Sequence, residues 1–139
     1  MSHYEQAARL QSDAGLCFFL SAALVADAVE EGVDTDGVHF VVGTLTGRLA
    51  AGGRFDEFAH AWVELPSGVL APTVSITSVM RRDDYYRTNG VRDAARVPAS
   101  VVAALVEQHG IGTQALTSAL LTAAGYRFRV VSGSVLPAL

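Results

Sequence analysis

Cys17 is the chain's single cysteine and stands in Gln11-Ser12-Asp13-Ala14-Gly15-Leu16-Cys17-Phe18-Phe19-Leu20-Ser21, with His60 downstream in Ala59-His60-Ala61-Trp62-Val63-Glu64. A thiol paired with an imidazole is a nucleophile with its base, the arrangement of covalent acyl transfer. The thiol attacks as thiolate, so its surroundings must favour the anion. The first turn of a helix does so through unpaired backbone N–H groups and the positive end of the dipole, and Cys17 falls in the first turn of an expected helix. The expectation is therefore a lowered thiol pKa and alkylation faster than that of a free thiol. A lone cysteine in an apolar helix also serves as a small buried hydrophobe, and a lone histidine on a strand as a satisfied or solvated residue. The sequence around the two decides between these roles.

The elements that would position the pair follow from periodicity. Residues 4–10 suit a short opening helix. From about Gly15 to Glu31, apolar residues recur at helical spacing among the good helix formers Ala22, Ala26 and Ala28. Such a helix, apolar nearly all round, belongs at the centre of the domain. Val38 to Thr46 is β-branched and reads as a strand, and Gly47 to Gly53 as a flexible connection. Phe58 to Leu65 and Val69 to Ile76 read as two strands that pair antiparallel through the Pro66-Ser67-Gly68 turn. Residues 78–97 look irregular. Pro98 opens a helix that runs through Gln108, Thr113 caps another that ends at Gly125, and 126–130 alternates as a last, half-exposed strand. The order implies an α+β fold, a single domain over residues 1–139 in which a central N-terminal helix carries the cysteine against a small antiparallel sheet, with two further helices and a final strand.

Composition narrows the function classes. Half of the 139 residues are apolar, enough for a continuous core. One cysteine forms no internal disulfide, which favours a reducing, cytoplasmic setting. The net charge of −4 and the scattered arginines give no basic face for nucleic acid or an anionic membrane. The apolar run from Leu16 to Val25 is too short for a membrane span, which needs about 20 residues, and lacks the basic start of a signal peptide. Asp34-Thr35-Asp36-Gly37 has the form of half a calcium loop without the remaining ligands, so neither a metal nor another cofactor is expected. All ten basic residues are arginine. Coding bias accounts for that, or else a lysine-free surface spares an acyl-transferring enzyme from modifying itself.

Gly15-x-Cys17-Phe18-x-Leu20-Ser21-Ala22 resembles the nucleophile segment of papain-like cysteine proteases, where a glutamine six positions before the cysteine donates to the oxyanion; Gln11 stands at that distance. Such a donor contributes roughly 3 kcal/mol, although Gln11 also suits a solvated turn. Cys17-x-x-x-Ser21-x-x-Leu24, Gly43, His60-Ala61-Trp62-Val63-Glu64, Gly68 and Pro72-Thr73 resemble the core of transglutaminase-like cysteine enzymes, which include bacterial peptidases that mature lasso peptides. The resemblance covers roughly residues 11–75. It implies a catalytic Cys17 and His60 assisted by Gln11, acting on a peptide or protein substrate. The family holds its histidine with an aspartate just before Pro-Thr, and Ala71 stands there instead. Thr73, Ser75, Asp83, Asp84 and Asn89 are the groups that could substitute.

Trp62 shares the strand face of His60, as core or as a shield for the pair. Glu64 is expected to be solvated at the strand end, and Tyr85 and Tyr86 either line a groove or pack a loop. Two functions are carried forward: a cysteine hydrolase or acyltransferase working through an acyl-thioester, and an inactive member of the fold used as a binding module. An unrelated α+β domain with an incidental Cys17 and His60 is the third. The sequence leaves substrate identity and oligomeric state open.

Overall fold

The computed structural model describes residues 1–10, 16–72 and 78–139. Its centre is helix α2 (Leu16–Glu30), preceded by the short helix α1 (His3–Ala8). Strand β1 (His39–Leu45), the single-turn helix α3 (Arg48–Ala51), strands β2 (Phe58–Leu65), β3 (Gly68–Leu70) and β4 (Val79–Met80), helix α4 (Arg82–Asn89) and strand β5 (Arg92–Pro98) follow. The chain closes with helices α5 (Ala99–His109) and α6 (Gln114–Ala124) and the strands β6 (Phe128–Val131) and β7 (Ser134–Pro137). The class is α+β, as expected. One sheet has five antiparallel strands in the order β4-β3-β2-β1-β5, and β6 and β7 form a separate hairpin.

The period-two pattern of β1 and β2 gives the sheet two buried faces. Phe40, Val42, Ala59, Ala61 and Val63 point to the layer of α2, α5 and α6, where they meet Phe18, Ala22, Val102, Val106 and Leu120. Val41, Leu45 and Trp62 point the other way, onto Val69 and Tyr85 of α4. Alanines at 22, 23 and 26 are fully buried and let α2 lie close to its neighbours. Asp27 of α2 ties down α1, its carboxylate accepting the His3 and Tyr4 backbone N–H groups at 2.9 Å each.

Four segments depart from the sequence expectation. The strand expected over Val69 to Ile76 ends at Leu70, and 73–76 lie outside the described residues. The irregular stretch 78–97 holds β4, α4 and β5. Helix α4 has almost no apolar periodicity to announce it; Asp83 and Asp84 in its first turn and the left-handed Gly90 after its end supply its terminal signals. The flexible connection at 47–53 contains α3. The final strand is a hairpin, turned by Ser132 and Gly133 at φ 51° and 81°, the paired positive values of a tight two-residue turn. No helix among the described residues is long and apolar enough to cross a membrane.

Candidate active site

Cys17 is the second residue of α2, in the first turn as expected. Strand β2 carries His60, and both residues line a cleft of about 490 Å³, within the range of roughly 300–1,000 Å³ that ligand sites occupy. Among the described residues, pairing of β2 with β3 covers Val63 to Leu65. Beyond it, the Ala61 backbone N–H is directed at the Cys17 sulfur, together with the N–H groups of Phe18 and of Cys17 itself. These donors favour a thiolate, as a helix start should. Burial opposes them and wins, pushing the Cys17 thiol up to about 11. The expected lowering of the thiol pKa is thus reversed, because the sulfur is packed into the joint between helix and strand.

His60 has an equally apolar setting. Phe58, His60, Trp62 and Glu64 alternate onto one face of β2. The Phe58 ring meets the imidazole edge-on at 5.9 Å, and the Trp62 ring stacks on it at 6.4 Å. Burial lowers the His60 pKa to about 4, so the imidazole is neutral at neutral pH. Thiol and neutral imidazole, rather than an ion pair, are the favoured resting forms.

Trp62 is fully buried as core, and its indole stacks on the His60 imidazole. Its indole leans over Gly43, which pairs with His60 across the strands. A Cβ on Gly43 would stand 2.8 Å from the indole ring, so only glycine leaves room for it.

Glu64 differs from expectation. It is 2% exposed and is the hub of a polar network rather than a solvated strand end. The Trp62 Nε1–H donates to its carboxylate at 3.1 Å and Arg96 at 2.8 Å; the Tyr86 hydroxyl also donates, and Arg82 lies 3.5 Å away. Burial resists ionisation, but the hydrogen bonds from Tyr86, Trp62 and Arg96, with the Arg96 charge, hold Glu64 below the usual carboxylate range. Trp62 joins this network to His60 along the same face of β2.

The other sequence candidates take varied places. Gln11, Thr73 and Ser75 lie outside the described residues. Ala71 packs beside the Trp62 cluster. Asp83 is exposed, Asp84 pairs with Arg87 at 2.8 Å, and the Asn89 amide donates to the Tyr85 carbonyl. Among the described residues, none forms a hydrogen bond to His60 or offers it an orienting carboxylate. Tyr85 and Tyr86 pack on Trp62, at 5.3 and 5.9 Å, and line no part of the cleft. The Tyr85 hydroxyl is buried without a hydrogen-bond partner among the described residues, as is Ser21 Oγ one helical turn beyond Cys17.

Sequence reasoning missed the cleft walls. One is α3 with the following loop, contributing Arg48, Leu49, Arg54 and Phe55; the other is β7, contributing Ser134 and Val135. Neither had a periodic signal, and the second comes from the far end of the chain. Comparison of the chain with protein-family models, with curated proteins and with solved structures finds no match.

Proposed function

We propose that the protein is a cysteine-dependent hydrolase or acyltransferase of the papain-like and transglutaminase-like superfamily, acting on a peptide or amide bond. The observation that carries this reading is the shared cleft of Cys17, at the start of the central helix, and His60, on the central strand. Attack of the sulfur on the carbonyl carbon forms the C–S bond while His60 takes the thiol proton. The Cys17 N–H, with Gln11 where the family places a glutamine, holds the oxyanion. Collapse breaks the C–N bond, and His60 passes the proton to the leaving amine. Water or a second amine then attacks the acyl-thioester, its proton passing to His60 and on to the departing sulfur. A depressed pKa keeps His60 in the unprotonated form that a base requires. A free thiol suits a cytoplasmic location.

A second reading is a catalytically inactive member of the fold that binds a peptide in the same cleft. Ala71 in place of the family's aspartate and the upward shift of the thiol favour it. Iodoacetamide at neutral pH tests whether Cys17 is available for chemistry. The expected result is alkylation of the native protein, slower than a free thiol because of the raised pKa but much faster than global unfolding. Alkylation only on unfolding contradicts both readings, since each needs an open cleft.

A further inference from the structure

We propose that the cleft at Cys17 accepts a peptide segment in which a bulky apolar residue is flanked by a carboxylate, and that Arg48 and Arg54 select for that acid. The proposal rests on the cleft being the substrate site.

The walls supply the first half of the argument. Leu49, Phe55, Phe58 and Val135 surround the approach to Cys17 and His60, and Leu49 is 44% exposed although apolar. An apolar side chain entering between them would cover surface that the folded chain leaves in water.

Charge supplies the second half. The chain has 14 acidic residues against 10 basic ones, yet among the described residues the cleft is lined by two arginines and no aspartate or glutamate. Arg82, Arg87, Arg92 and Arg96 each pair with a carboxylate. Arg48 and Arg54 have no such pair among the described residues. Glu57, three positions beyond Arg54, turns to Arg92 instead. The Arg54 guanidinium lies over the Phe55 ring, 5.6 Å from its centre, which places a cation beside an apolar surface in the same wall. Gly52 and Gly53, just before Arg54, add no side chain to the wall. A cationic mouth on an otherwise acidic protein attracts an anionic segment and repels a basic one.

The test uses calorimetric titration of Cys17→Ala protein, which binds without turnover, with acetyl-Glu-Leu-Phe-Leu-Glu-amide and its counterpart with both glutamates replaced by glutamine. The acidic peptide should bind roughly 3- to 10-fold more tightly at low salt, the scale of two exposed charge pairs, and the difference should shrink at high salt. In Arg48→Gln/Arg54→Gln protein, whose altered side chains are both exposed, the acidic peptide should fall to the level of the amide peptide. Equal binding of the two peptides, binding of neither at millimolar concentration, or a preference that survives the double substitution overturns the proposal. These outcomes are independent of catalysis, so a Cys17 that can be alkylated but takes up no acyl group counts against the enzyme reading alone.

Discussion

The His60 imidazole lies along the Trp62 indole, with ring centroids 6.4 Å apart and planes 26° from parallel. The contact follows from strand geometry, since residues two apart share a face, and it ties the candidate base to the largest fully buried side chain of the sheet. It also explains why the imidazole is neutral: its neighbours on the strand are rings, and the nearest carboxylate along that face, Glu64, is already engaged by Trp62, Tyr86 and Arg96.

Acid should destabilise the fold through His60. Its pKa is 6.5 in the unfolded chain and about 4 in the native state, so between those values the unfolded chain binds the extra proton. The stabilising contribution is fully present above pH 6.5. It disappears as the pH falls through about 4, an effect of about 3 kcal/mol. Urea unfolding of wild-type and His60→Gln protein across that window should show the wild type losing more stability. Parallel curves would remove His60 as the cause.

Glu64→Gln should cost about 2 kcal/mol. The amide keeps the shape but leaves Arg96 and Arg82 without a counter-charge, and Arg96 is only partly solvated. Trp62 is the chain's only tryptophan and one of the carboxylate's donors, so its near-ultraviolet dichroism reports the loss directly. Unchanged stability would mean that the network adds nothing to the fold.

Tyr85→Phe should be neutral or stabilising by about 1 kcal/mol, because the hydroxyl is buried with no partner among the described residues. The ring contacts with Trp62 and Tyr86 remain. A loss of stability on thermal unfolding would reveal a hydrogen bond that the hydroxyl depends on.

How much of this was legible in the sequence depended on how local each signal was. Strand β2 over Phe58–Leu65 and helix α6 between its Thr113 cap and Gly125 were readable because alternation, capping and a left-handed glycine are written in adjacent residues. Helix α4 was not, since its stability comes from one face packed on Trp62 rather than from its own pattern. The positions of Cys17 and His60 were legible; their protonation was not. The helix start argued for a thiolate, but desolvation depends on how strand, helix and hairpin close around the sulfur. Glu64 was misread for the same reason: its partners come from α4 and β5, the segment that gave no periodic signal.

Acyl transfer to Cys17 tests the central claim most directly. The chain has no lysine, so an acetyl group delivered by p-nitrophenyl acetate has few competing acceptors, and peptide mass mapping can assign it. The native protein should be acetylated at Cys17, and His60→Ala should slow the reaction on the order of 100-fold, the scale of a lost general base. Equal rates in the two proteins, or acetylation that never reaches Cys17 in the folded state, would contradict the claim.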